Sequence, residues 1–150
     1  MKIPSSSAWS LSQMGQFLAG QVIPIRLAVF DDDYPLICSV WFIWDPEAEE
    51  LLCASHEGSY LVSKLQKNNR IGFEVAPETP PYKGVRGKAK VSLVREGVAD
   101  VLPRLIDRYL ADRNDSLAKW LLSRVDEEYL LRIKPEWVTS WDYSARMKDE

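Results

Sequence analysis

The sequence predicts an α+β fold, a small antiparallel β-barrel of six or seven strands with helices at its rim. The order of the predicted elements supports this. Short β-rich segments follow one another without a linker or repeat, and a helical period appears only near residues 10–20, 58–67 and 98–124. With 150 residues, the chain is predicted to be one domain, residues 1–150, that can bury its own core.

The first elements can be assigned from local signals. Ser10 and Gln13 form a capping box, so a short helix is predicted to follow and to stop at Gly20. Residues 22–30 alternate as a strand, and residues 31–33 form an acidic turn. Residues 35–44 form a strand that is apolar on both faces, and such a strand must be covered on both sides. One face would fill the barrel, and the other needs a helix, a partner subunit or a planar ligand.

The remaining elements follow in the same way. Further strands are predicted at residues 51–55, 71–76, 85–94, 129–133 and 137–141, with Pro135 separating the last two. A helix is predicted over residues 58–67, and a helical pair over residues 98–124 with a break at Asn114-Asp115. This order places the helices between strands, as at the rim of a small barrel.

Composition argues against several classes of function. The formal net charge of −3 and the pI near 5.3 predict no nucleic-acid partner. The longest apolar run, residues 34–44, is too short to span a membrane, and the N-terminus lacks the apolar stretch of a secretory signal, so a cytoplasmic protein is expected. One histidine and two separated cysteines predict no zinc site.

Two segments have the chemistry of a phosphate site. Residues 58–65 begin a helix with small residues and place Ser63 and Lys64 near its first turns. Residues 80–89 lead a cationic, glycine-broken strand out of a Pro-Pro turn. Together the segments supply cations, hydroxyls and free backbone amides, which a phosphate monoester requires. They predict a phosphorylated cofactor.

The same segments carry a resemblance to a known family. The signals are Ser63-Lys64 followed by Lys67-Asn68-Asn69, then Tyr82 to Ala89, and finally Pro135-Glu136-Trp137-Val138 with Trp141 and Arg146-Met147. In this order and spacing, residues 25–147 resemble the pyridoxamine 5'-phosphate oxidase-like family of FMN-binding split β-barrels. The resemblance implies a homodimer that holds FMN between its subunits.

The resemblance also implies roles for individual residues. Lys64 and Ser63 would hold the FMN phosphate together with Arg86, and Ser55 would face the ring or the phosphate. The backbone at Val40, Trp41 and Phe42 would run along the flavin. Tyr82 would lie beside Arg86 on the strand that reaches the cofactor, and Trp141 would approach it across the dimer interface.

The resemblance has limits that bear on the substrate. The chain ends in Arg146-Met147-Lys148-Asp149-Glu150, without the histidine and second arginine that close the true oxidases, and Tyr82 stands where those enzymes have a glutamine. Pyridoxamine phosphate is therefore not the expected substrate. The expected function is flavin-dependent hydride or electron transfer to another small molecule. The 8-hydroxy-5-deazaflavin coenzyme is an alternative cofactor, and a non-catalytic carrier or sensor of FMN or heme is an alternative function.

Overall fold

The computed structural model describes residues 1–111 and 115–148. Along the chain the elements are α1 (Leu11–Gly20), β1 (Ile25–Asp31), β2 (Tyr34–Val40), β3 (Ile43–Asp45), β4 (Glu50–His56), α2 (Tyr60–Lys67), β5 (Arg70–Val75), β6 (Lys83–Val94), α3 (Val98–Leu110), α4 (Asp115–Ser123), a 3-10 turn (Val125–Glu127) and β7 (Glu128–Asp142). The predicted α+β class is confirmed. The predicted break between the last two helices falls partly on Asn114, which lies outside the described residues.

The described strands form one seven-stranded sheet in the order β2-β1-β5-β6-β7-β4-β3, and every pair of neighbours is antiparallel. The two edge strands, β2 and β3, are consecutive in the chain and are separated only by Trp41 and Phe42. No hydrogen-bonded ladder joins these edges within the described sheet, so the barrel is split at this point. The sequence predicted one strand over residues 35–44, whereas the structure bends the chain and divides it.

A tyrosine from α3 fills the bend between β2 and β3. The Tyr109 hydroxyl accepts a hydrogen bond from the Phe42 N–H at 3.2 Å and donates one to the Ile23 carbonyl at 2.8 Å. The Tyr109 ring stacks on Trp41 with centroids 5.1 Å apart and planes 4° apart. Because the bend removes Phe42 from any ladder, this hydroxyl satisfies a backbone donor that would otherwise be buried without a partner.

The prediction of two separate C-terminal strands was wrong. Residues 128–142 form one strand, β7, which continues through Pro135. Proline lacks the N–H of a ladder, but the pairing of β6 with β7 shifts register between Lys88 and Ala89, where Pro135 lies opposite Ala89. The irregularity therefore accommodates the proline without ending the strand.

The capping box of α1 is confirmed, since the Gln13 N–H donates to the Ser10 side chain and the Ser10 N–H donates to the Gln13 side chain. The core lies on the inner face of the sheet, where α1 and α2 pack, and a second apolar cluster joins α3 to β4 and β7. No helix among residues 1–111 and 115–148 is long and apolar enough to cross a membrane.

Candidate functional site

The outward face of the sheet carries the most distinctive surface of the molecule. Side chains alternate across a strand, so residues opposite one another in register form rows on one face. Two adjacent rows run from β6 through β5 and β1 to β2. They are Arg86, Glu74, Arg26 and Ser39, and then Lys88, Gly72, Ala28 and Ile37. Ile37 is 66% exposed, so this part of the predicted second apolar face is uncovered in a single chain.

A groove of about 580 Å³ crosses this face. Ala28 and Gly72 form part of its floor, and Phe30 and Trp137 line its sides. Small floor residues leave room for a flat ligand to approach the backbone. The cations lining the groove are Arg70, Lys88 and Lys90, while Glu136 is the acidic residue that lines it.

The irregularity in β7 places Trp137 beside this groove. Lys88 lies opposite Trp137 immediately before the register shift, and its ammonium is 5.5 Å from the centre of the Trp137 ring. A Cβ at the neighbouring Gly87 would come within 2.4 Å of the Trp137 carbonyl, so β6 and β7 approach closely here only because residue 87 is glycine. Lys88 lies on a central strand of the sheet, paired on both sides by β5 and β7, so its charge is not that of an edge-strand lysine.

A polar cleft of about 510 Å³ adjoins the groove and shares Trp137 with it. Arg86 lines the cleft with its guanidinium 5.0 Å from the centre of the Trp141 ring, and Arg146 lines it with its guanidinium 5.3 Å from the ring of Tyr143. Neither arginine has an ion-pair partner among the described side chains. Both guanidinium groups are therefore available to an anion.

A glycine and an acidic turn fix the walls of the cleft. A Cβ at Gly84 would lie 2.6 Å from the Trp141 ring, so the glycine allows this tryptophan to lie flat across β6. The Asp142 carboxylate accepts hydrogen bonds from the hydroxyl and the N–H of Ser144, which lower its pKa. Tyr82 lies at the edge of the cleft, exposed, and its N–H contacts the sulfur of Met147 at 3.3 Å.

Lys64 lies elsewhere and already has a partner. Its Nζ is 2.8 Å from the Asp31 carboxylate and 4.8 Å from the centre of the Tyr60 ring, and the residue is only 8% exposed. The Tyr60 hydroxyl also donates to Asp31. The hydrogen bond from Lys64 is the main cause that lowers the pKa of Asp31, and the same bond raises the pKa of Lys64. The ammonium therefore joins α2 to the end of β1.

The structure does not bring Lys64 and Arg86 together within one chain. Arg86 lies opposite Glu74, and Glu74 lies opposite Arg26 on β1. Asp31 follows Arg26 by five positions on that strand, which corresponds to about 16 Å at the usual rise per residue. One phosphate cannot bridge that distance, so the clasp expected between the two cations does not exist within a subunit.

The other site residues predicted from the sequence fall into two groups, those on the outward surface and those away from it. The Ser55 hydroxyl bonds the Ser59 hydroxyl at 2.8 Å, and the Ser63 hydroxyl donates to the Tyr60 carbonyl at 2.6 Å. Val40, Trp41 and Phe42 lie at the split beside Tyr109, where Phe42 is fully buried. None of these six side chains, counting Lys64, lines the groove or the cleft. Arg86 and Trp141 line the cleft, and Tyr82 is exposed next to it, where its carbonyl accepts a hydrogen bond from the Tyr143 N–H.

Sequence reasoning missed Arg70, Lys90 and Trp137 as parts of this surface. The alternation of Arg86, Lys88 and Lys90 along one strand was visible in the sequence and indicates a shared face. The position of Arg70 required the pairing of β5 with β6, which places it opposite Lys90. The position of Trp137 required the register shift, which no local signal revealed.

Comparison with solved structures identifies the fold. A conserved hypothetical protein from Mycobacterium tuberculosis superimposes with a TM-score of 0.80 at 17% identity, covering 100% of this chain and 96% of that one. A putative pyridoxamine 5'-phosphate oxidase from Listeria innocua gives a TM-score of 0.65 at 14% identity, covering 89% and 98%. The chain has the split-barrel fold of the pyridoxamine 5'-phosphate oxidase-like proteins.

Solved structures of proteins with other activities also match. An F420 reductase superimposes with a TM-score of 0.64 at 18% identity, covering 83% of this chain and 94% of its own. An FAD-binding protein from Mycobacterium smegmatis and the heme storage protein HutZ from Vibrio cholerae give TM-scores of 0.60 and 0.66 at 16% identity. Neither the protein-family models nor the sequences of curated proteins contain a match to this chain.

Proposed function

We propose that this split barrel is a flavin-dependent oxidoreductase that binds FMN, or a deazaflavin in its place, on the outward face of its sheet. The observation that carries the proposal is the groove with an apolar floor and a cationic rim. Its volume lies in the range of about 300–1,000 Å³ that is usual for small-molecule sites. Its floor suits a planar ring, and its cations suit a phosphate or an acidic tail.

The residues of this chain would bind and orient such a cofactor. When bound, a flavin itself supplies hydride or electron transfer, so no catalytic triad is required of the protein. Arg86 and Lys88 lie in successive rows beside the groove, and we propose that they neutralise the phosphate. Trp137 and Trp141 would flank the ring and its ribityl chain. Tyr82 and Arg146 remain open at the edge, where a small-molecule substrate would enter.

A second copy of the chain is part of the proposal. Phe30 and Ile37 are 56% and 66% exposed on the outward face beside the groove. Large exposed apolar side chains clustered on a sheet face are typical of an interaction surface. A homodimer formed through this face would bury them and would close the groove over a planar cofactor.

The outward groove favours a flavin over heme. Heme iron in proteins is held by His, Cys, Met or Tyr side chains. None of these residue types is among the described residues that line the groove, and the histidine of the chain, His56, lies at the end of β4. A carrier or sensor of FMN without turnover remains the second candidate, because the same binding surface would serve it.

Binding can be tested by comparing FMN with riboflavin, which lacks the phosphate. Quenching of flavin fluorescence by the full chain is expected for both ligands. Arg86→Ala and Lys88→Ala should each weaken FMN at least about tenfold, the effect of one charge-assisted hydrogen bond, and should leave riboflavin affinity unchanged. Lys67→Ala, an exposed lysine of α2, is the matched control and should change neither affinity.

Other outcomes would decide against the proposal. A protein that binds neither FMN nor deazaflavin at micromolar concentrations, or a Lys67 variant that loses FMN as strongly as the Lys88 variant, would refute it. A Soret band on heme addition without flavin binding would support heme carriage instead.

Ile37→Asp should yield a monomer by light scattering and should weaken flavin binding. Oxidation of reduced nicotinamide in the presence of bound FMN would distinguish an enzyme from a carrier.

A further inference from the structure

The single histidine of this chain lies between two hydrogen-bond partners, one for each ring nitrogen. His56 ends β4 and lies opposite Glu128 of β7. Its Nδ1 accepts a hydrogen bond from the Gly58 N–H at 3.0 Å, while its Nε2 is 3.4 Å from the Glu127 carboxylate. Because Nδ1 is the acceptor, the neutral ring must carry its proton on Nε2.

The contact with Gly58 belongs to a series that forms the start of α2. The Ser59 N–H donates to the His56 carbonyl at 2.9 Å. The Ser59 hydroxyl then accepts from the Val62 N–H at 3.1 Å, which caps the helix, and bonds the Ser55 hydroxyl. A movement of Gly58 would therefore be transmitted to the N-cap of α2.

We propose that His56 is a pH-sensitive switch for the loop that starts α2. Neutral His56 holds Gly58, whereas protonated His56 releases Gly58 and pairs with Glu127. The physical reason is that both ring nitrogens of an imidazolium are donors, so an Nδ1–H would face the Gly58 N–H with no acceptor between them. The switch requires no cofactor.

The charged groups around His56 set the competition between the two arrangements. Glu127 from the 3-10 turn and the buried Glu128 from β7 favour the charged ring, and Arg124, which follows α4, opposes it. Glu57, the next residue, is already paired with Arg95. Burial raises the pKa of Glu128, so this carboxyl is a second titrating group that an experiment must separate from the histidine.

The presence of one histidine makes the experiment direct. NMR spectra of the full chain between about pH 5 and 8 will contain one set of imidazole nitrogen signals. At high pH the proton should reside on Nε2. On acidification, the chemical shifts of the Gly58, Ser59 and Val62 amide protons should change with the same pH midpoint as the imidazole nitrogen signals. Solvent exchange at Gly58, corrected for its intrinsic pH dependence, should become about tenfold faster as one hydrogen bond is lost.

Two variants separate the switch from its surroundings. Glu127→Gln should lower the pH midpoint of the imidazole signals and that of the loop amide shifts by the same amount, because it removes a charge that favours the imidazolium. Glu128→Gln should leave the loop response in place. A neutral ring protonated on Nδ1, loop amides that ignore the titration of the ring, or a loop response abolished by Glu128→Gln would each overturn the proposal.

Discussion

Tyr109 offers the sharpest test of how this barrel is held together at its split. Its hydroxyl accepts from the Phe42 N–H and donates to the Ile23 carbonyl, and its ring stacks on Trp41. Tyr109→Phe keeps the ring and removes only the hydroxyl. The substitution therefore isolates the hydrogen bonds that join α3 to the bend between β2 and β3.

The expected loss of stability can be worked from these contacts. Phe42 is fully buried, so its N–H would lose its partner at a site that water does not readily reach. Leaving one buried donor unsatisfied costs about 1–3 kcal/mol. In a domain of this size, a loss of about 2 kcal/mol corresponds to a fall in Tm of roughly 4–8 °C.

Urea unfolding followed by circular dichroism would measure the effect, with an unchanged m-value as evidence that the folded state remains compact. Tyr34→Phe is the matched control, because the Tyr34 side chain is 79% exposed and its loss of a hydroxyl should be neutral. If Tyr109→Phe lowers the free energy of unfolding by less than about 0.5 kcal/mol, the level of an ordinary surface substitution, the hydroxyl does not secure the bend.

Three further predictions concern the site and its supports. Gly84→Ala should weaken flavin binding several-fold, because its Cβ would lie 2.6 Å from the Trp141 ring, whereas Gly20→Ala, with open space around it, should not. Lys64→Met should lower the urea midpoint without changing FMN affinity. Lys64 lowers the pKa of Asp31, and its own pKa is raised, so the ion pair stabilises the fold fully between about pH 4 and 10. The destabilisation by Lys64→Met should therefore be largest in that range and should shrink below it, as Asp31 is protonated, and above it, as Lys64 loses its proton. Urea unfolding at several pH values would measure this. Glu128→Gln should raise Tm at pH 7, since burial raises the pKa of Glu128, and the gain should disappear as pH falls towards about 4.

Much of the fold was predictable because the deciding interactions are local. The capping box at Ser10 and Gln13 involves residues three positions apart, and the structure contains both of its hydrogen bonds. The acidic turn after β1 also formed as predicted, with Asp32 at a φ of 52°. The errors occurred where distant contacts decide. Trp41 and Phe42 leave the strand because Tyr109, far away in the chain, supplies their partner.

The candidate site was predicted only in part for a related reason. The alternation of Arg86 and Lys88 on one strand reveals a cationic face without any knowledge of neighbouring strands. Lys64 carries the same charge but is paired with Asp31 from another element, and this pairing removes it from the list of free cations. A sequence shows the number of cations, whereas the fold decides which of them are neutralised.

The sequence by itself determined the α+β class, the order of most elements and a cationic strand, because these depend on period, caps and alternation along the chain. Only the tertiary structure decided that Trp137 borders a groove, that Lys64 supports a helix, and that His56 faces both Gly58 and Glu127. The physical reason is that hydrogen bonds and ion pairs act over a few ångströms, and strand pairing sets which distant residues come within that range.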